Sequence, residues 1–212
     1  MKDDFNDSAG DPAEICYRRG RALLGEIISS KGDPAKALQM IEGADLTQCD
    51  RQGLSALCWA ARQGYGDVVK ALVKAGASVN NTSHQNWTPL HWAAVSGNIE
   101  ALDAILSKKV DVNAKNDNHD TPLTLATLID GETGVTFAER LLKHGADVRI
   151  TGANGMTPLE SAQSLHQEKQ IALFTPLVEN LKPATSPAAI NSATTLKKPL
   201  RPMKPTKFYR QS

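Results

Sequence analysis

No stretch of this chain stays apolar for 18 residues, which excludes a helix able to span a bilayer. The opening residues, Met1-Lys2-Asp3-Asp4-Phe5-Asn6-Asp7, are acidic and carry no apolar core, so a secretory signal peptide is not expected. Cysteine is scarce: Cys16, Cys49 and Cys58 are an odd set without a CxxC, which argues against a disulfide framework and against a zinc module. A reducing, cytoplasmic location is the expectation, with nuclear residence or export into a host cell left open. Aromatic residues make up only 5% of the chain. Acidic residues are missing altogether from residues 182–212, which hold seven basic ones and five prolines. That leaves 17 basic against 23 acidic residues in 1–181, a net charge of −6 on the body and +7 on the tail.

What remains is ordinary. A hydrophobic content of 41% with 22% charged residues is the balance of a globular domain, and 212 residues suffice for one domain with a tail. Residues 182–212 have few large apolar side chains to offset the entropy of ordering, and they read as a disordered tail. Residues 1–11 read as a disordered acidic N-terminus.

Internal repetition decides the architecture. Thr88-Pro89-Leu90-His91, Thr121-Pro122-Leu123-Thr124 and Thr157-Pro158-Leu159-Glu160 share one pattern, and Ser55-Ala56-Leu57-Cys58 keeps its hydroxyl and leucine. The spacings are 33, 33 and 36 residues. A second landmark travels with the first: Gly76-Ala77-Ser78-Val79-Asn80, the diverged Lys109-Val110-Asp111-Val112-Asn113, and Gly145-Ala146-Asp147-Val148-Arg149. Gly43-Ala44-Asp45, 33 residues before Gly76, marks a degenerate first unit.

Each landmark has a local cause. The Ser or Thr hydroxyl accepts a bond from an orphan amide of a helix's first turn, and proline suits the next position, where no amide hydrogen is needed. Leu57, Ala60 and Ala61 then share an apolar face, Gly64 stops the helix, and Val68, Val69, Leu72 and Val73 mark a second helix. The next unit repeats this with Leu90, Ala93, Ala94, Gly97, Ile99, Leu102 and Leu106. A helix–turn–helix–hairpin unit of this kind buries its apolar face only against a neighbour.

The run Thr88-Pro89-Leu90-His91-Trp92-Ala93-Ala94 resembles the signature of the ankyrin-repeat family. The resemblance covers about residues 21–181 and implies an all-α ankyrin-repeat solenoid of five units, at 21–49, 50–82, 83–115, 116–151 and 152–181, within a domain of residues 12–181. A further helical segment near 12–19 is expected to pack on the first unit. Three departures stand out. Lys109-Val110 replaces the Gly-Ala stop, three extra residues fall in a predicted turn at 129–135, and Pro176 is expected to kink or end the last helix.

Catalytic patterns fail at their defining positions. Gly20-Arg21-Ala22-Leu23-Leu24-Gly25 has phosphate-loop spacing but is followed by Glu26-Ile27 instead of Lys and Ser or Thr. Gly53-Leu54-Ser55-Ala56-Leu57 lacks the closing glycine of a nucleophile elbow. Asp111-Val112-Asn113 opens like a calcium loop, then places Lys115 at the fifth position and Pro122 where the bidentate glutamate belongs. Cys58 and His91 share a repeat position and are expected to pack between repeats, His91 bonding to the backbone of a neighbouring hairpin. No catalytic residue, cofactor or metal is assigned.

The resemblance implies a protein partner held by hairpin fingers and a concave groove. The residue before each Ser or Thr is expected to project from its finger: Leu54, Trp87, Asp120 and Met156. Two positions before the Ser or Thr, the glycine of the turn is expected. Beside that row lie the tips Arg51-Gln52, His84-Gln85, Asp117-Asn118 and Ala153-Asn154, and on the helix ends Arg62-Gln63 and Val95-Ser96. Trp87 is the first choice of anchor, against the alternative that it folds back onto its neighbouring hairpin. Trp59 and Trp92 are expected to pack, partly exposed. In the tail, Lys198, Pro199, Arg201, Pro202, Lys204, Pro205 and Lys207 include two PxxPxK runs. Such a segment docks on an SH3-type domain, meets phosphate on a nucleic acid or anionic membrane, serves as a nuclear address, or stays solvated. A monomer is expected.

Overall fold

The structure, a computed structural model, describes residues 12–29 and 34–181. Ten helices follow one another there: α1 (Pro12–Ile28), α2 (Pro34–Met40), α3 (Ala56–Gln63), α4 (Gly66–Lys74), α5 (Pro89–Ser96), α6 (Ile99–Leu106), α7 (Pro122–Ala126), α8 (Gly131–Lys143), α9 (Pro158–Ser164) and α10 (Glu168–Leu181). No strand is assigned among the described residues. α1 pairs with α2, α3 with α4, α5 with α6, α7 with α8 and α9 with α10, and the pairs stack so that α3, α5, α7 and α9 form one row while α2, α4, α6, α8 and α10 form the other. α1 opens the first row against α3.

Helix starts follow their chemistry. The Ser55, Thr88, Thr121 and Thr157 hydroxyls each accept the amide three residues on. Three of the four then close a reciprocal box, in which the His91, Thr124 or Glu160 side chain accepts the amide of its Thr. Cys58 at the same position closes none. Gly64 and Gly97 end α3 and α5 at positive φ, as expected from their places after the alanines.

One core runs the length of the stack. Leu57, Leu72, Leu90, Leu102, Ile105, Leu123, Phe137, Leu141 and Phe174 are all fully buried. Ala60, Ala61, Ala93 and Ala94 are buried too, and their small size lets neighbouring helices of the first row approach closely. At about 25 cal/mol per Å² of apolar surface removed from water, this shared core is the main force joining units that have none of their own.

Three local expectations need correction. α1 is a single helix through residues 12–28, so the extra N-terminal segment and the first helix of unit one are continuous. The three additional residues near 129–135 do not lengthen a turn. α7 ends early, at Ala126, and α8 gains a turn at its N-terminus, reaching 13 residues where α6 has 8. Pro176 neither ends nor interrupts α10. It is exposed, so the carbonyl left without its amide faces water, and the Thr175 hydroxyl donates to the adjacent Ile171 carbonyl at 2.7 Å.

Candidate functional site

Between the helix pairs the chain forms four fingers of one construction. The amides of Asp50, Ser83, Asn116 and Gly152 donate to the carbonyls of Leu54, Trp87, Asp120 and Met156, four residues on. The amide of the third residue after each of those four donates back to its carbonyl, which makes a tight turn. That turn requires positive φ at its last residue. Gly53 and Gly155 supply it, whereas Asn86 and His119 adopt φ of 57° and 66° in the middle fingers. The expected glycine is therefore present in only two fingers of the four. The others use side chains, of which Asn tolerates this region best.

Fingers are tied edge to edge. The His84 amide donates to the Gln52 carbonyl at 3.0 Å and the Asp117 amide to the Gln85 carbonyl at 3.1 Å. At the next junction the Ala153 amide turns instead to the Asp120 carboxylate at 2.9 Å. Burial raises the pKa of Asp120 above its ordinary value, and the Ala153 amide partly opposes that.

The tip residues Arg51, Gln52, His84, Gln85, Asp117, Asn118 and Asn154 are all exposed. The row before the Ser and Thr caps is not a projecting ridge. Leu54 is 2% and Trp87 4% exposed, and Asp120 and Met156 are half-buried. The finger's closing bond turns this residue's side chain inward, and Trp87 stacks on Trp92 with ring centroids 4.4 Å apart. Trp87 is thus a packing residue whose remaining surface lines a cleft. The tail residues Lys198, Pro199, Arg201, Pro202, Lys204, Pro205 and Lys207 lie outside the described residues.

That cleft, about 400 Å³, lies between the first two fingers, with Asn118 of the third also lining it, and reaches Arg62 at the end of α3 and Trp92 within α5. Leu54, Trp87 and Trp92 supply its apolar lining, and Arg51, Arg62 and His84 its basic one. The Arg62 guanidinium carbon sits 4.7 Å from the Trp59 ring centre and 5.1 Å from that of Trp92. A stacked guanidinium keeps its N–H edge available for a further acceptor.

A polar detail here escapes a reading of single motifs. Trp59 Nε1 donates to Asp50 Oδ2 at 2.8 Å, while Asp50 Oδ1 accepts the Gln52 and Leu54 amides. One unit on, Trp92 matches Trp59, but Ser83 stands where Asp50 stood. The single Ser83 hydroxyl is engaged by the Gln85 and Trp87 amides, and Trp92 Nε1 is left buried with no partner. Aligning Asp50 with Ser83 at the 33-residue offset carries that signal in the sequence.

The nucleophile and base candidates are accounted for structurally. Burial pushes the Cys58 thiol up to about 11, a poor nucleophile at neutral pH. His91 Nδ1 accepts the Thr88 amide at 3.1 Å, so Nε2 carries the proton and donates to the Asp120 carbonyl at 3.0 Å, the neighbouring-hairpin bond expected of it. Burial lowers the pKa of His91, since the charged ring would be desolvated. Among the described residues no group of His, Cys, Asp or Glu is placed to hold a metal ion, and no helix is long and apolar enough to cross a membrane.

Residues 26–116 match the family model of ankyrin repeats, in three copies. No curated protein matches the chain significantly.

Proposed function

Because this chain belongs to the ankyrin-repeat family, we propose that it is a non-enzymatic scaffold that holds a protein partner at its fingers and the cleft beneath them. Ankyrin repeats are in general protein–protein interaction modules without catalysis of their own. The observation that carries the reading is the cleft, where exposed tip residues Arg51, Gln52, His84 and Gln85 surround a recess lined by Arg62 and by the remaining surface of Leu54, Trp87 and Trp92. Such a combination of apolar floor and polar rim is what protein interfaces present. Asp117, Asn118 and Asn154 extend the rim along the later fingers, with Asp120 and Met156 half-buried behind them. Within this reading residues 12–181 are the binding domain and 182–212 a basic appendage.

A second reading rests on the charge separation between the −6 body and the +7 tail. Contact of the tail with a nucleic acid, an anionic membrane or an SH3-type domain would put recognition there. Affinity capture separates the two, using full-length chain, a form ending at Lys182, and full-length Arg51→Glu/Gln85→Glu. The finger reading expects the shortened bait to keep its partner and the double variant to lose it. The reverse result places function in the tail. Trp87→Ala is not a clean probe, because removing a buried aromatic costs about 3–5 kcal/mol of stability.

A further inference from the structure

We propose that the cleft between the first two fingers receives a carboxylate side chain from an acidic, extended segment of the partner protein, held by the Trp92 indole N–H and the Arg62 guanidinium. This rests on the finger-and-cleft reading above and specifies the chemistry of what binds there.

Three independent observations converge. Trp92 is only 9% exposed and its indole N–H lacks an acceptor, whereas the equivalent Trp59 N–H is satisfied by a carboxylate, that of Asp50. Buried donors without partners are rare and costly, so an acceptor brought by a ligand gains what the fold leaves unmade. The structure itself shows which acceptor suits this geometry, because Asp50 serves it one repeat earlier. Second, Arg62 is held between two indole rings, and among the described residues no carboxylate pairs with it or with Arg51. A guanidinium offers the two-pronged edge that a carboxylate fits. Third, the lining carries Arg51, Arg62 and His84 and no acidic residue, a basic recess on a body of net charge −6.

These features also discriminate among occupants. The chain's own tail, at +7, is repelled by the recess. A nucleic-acid base would need a free ring face, but Trp87 and Trp92 stack on each other and Arg62 covers the Trp92 ring.

The test selects binders to the full-length chain from a random dodecapeptide phage library, then measures the selected peptides by fluorescence anisotropy. Expected are peptides enriched in Glu or Asp. Arg62→Gln should weaken binding about tenfold, as loss of a charge-assisted bond does, and Glu→Gln in the peptide should weaken it as much. The two changes combined should cost little more than either alone, since they remove the same contact. Trp92→Phe keeps a ring and removes the donor, and weakens binding about fivefold. Ser83→Asp supplies the missing acceptor from within and abolishes binding, while circular dichroism confirms that each variant stays folded.

Peptides without acidic enrichment, no binders above background, or affinities unmoved by Arg62→Gln and Trp92→Phe overturn the proposal. If such peptides are still lost on Arg51→Glu/Gln85→Glu, the finger reading survives and only the acidic chemistry is wrong. If that double variant leaves them bound, the finger reading fails as well. Competition by oligothymidylate overturns the proposal in favour of nucleic acid. A gain in peptide affinity on deleting residues 1–11 overturns the choice of partner, and assigns the cleft to the chain's own acidic N-terminus.

Discussion

The junction between the first two fingers and the junction between the last two solve the same problem differently. At the first, Gln52 and His84 meet through backbone atoms, and on the opposite side one side chain contributes, the Asn98 Nδ2 donating to the Gly64 carbonyl at 2.8 Å. At the last, the link between the fingers is made by a side chain as well, and the helix side uses two. Asp120 accepts the Ala153 amide, Gln167 donates to the Thr127 carbonyl at 2.9 Å, and the buried Gln170 donates to the Ile129 carbonyl at 3.0 Å. The cause is the longer spacing, 36 residues instead of 33, which shortens α7 and leaves its last carbonyls facing α10. The family match ends at residue 116, just before this irregular part. Fingers that meet through backbone tolerate many sequences there, whereas a junction tied by side chains on both sides depends on a few named residues.

That contrast is broken most sharply at Gly134, which is buried in α8 beneath the Ile129 carbonyl and the Gln170 amide. A Cβ there would run into that carbonyl, which cannot move without disturbing α7. Gly134→Ala should cost about 3 kcal/mol, read as a fall in the urea midpoint. Gly25, with nothing within 4 Å of an added Cβ, is the control, and Gly25→Ala should gain about 0.5–1 kcal/mol. Next in size is Gln170→Ala, which strands the Ile129 carbonyl and should cost about 2 kcal/mol by the same measurement. An effect below about 0.5 kcal/mol would mean that the last junction is no more side-chain-dependent than the first.

A pH titration sharpens the comparison at the boxes. Burial depresses the pKa of His91, so the unfolded chain takes up the proton first as the pH falls below the ordinary histidine value of 6.5. The stability it contributes is complete above that value and is lost as the pH falls toward the folded pKa. The melting temperature should therefore drop between about pH 7 and 5, and His91→Thr, which copies Thr124 of the next unit, should flatten the slope. An unchanged slope in His91→Thr would assign the dependence to another group. The smallest expected effect is at the turns. His119→Gly relieves a positive φ and should stabilise by about 0.5 kcal/mol. Asn86→Gly should gain less, because it also removes the bond from Asn86 Nδ2 to Asp117 Oδ1 at 2.7 Å.

Much of this fold is legible in the chain because its signals are local. A Thr cap, the proline after it and the residue three positions on act within one turn of helix, so Thr88, Thr121 and Thr157 mark helix starts without any knowledge of neighbours. The 33-residue period is equally plain, and with it the rows of buried leucines and alanines. Finger-tip exposure was readable for the same reason, since a tight turn carries its central side chains away from the body.

The candidate site was only half legible. Which way Leu54 and Trp87 face depends on the closing bond of the finger and on a ring from the following helix, and a pattern of residue types does not reveal that orientation. The place of the extra residues was hidden too, because a turn and an added helical turn use similar polar residues. Local hydrogen bonds and periodic apolar faces let the sequence settle the repeat, the helix starts and the continuous core. The inward rotation of Trp87, the clasp of Arg62 between two indoles and the unpartnered N–H of Trp92 arise between units some 33 residues apart, where burial depends on what another repeat brings to the contact.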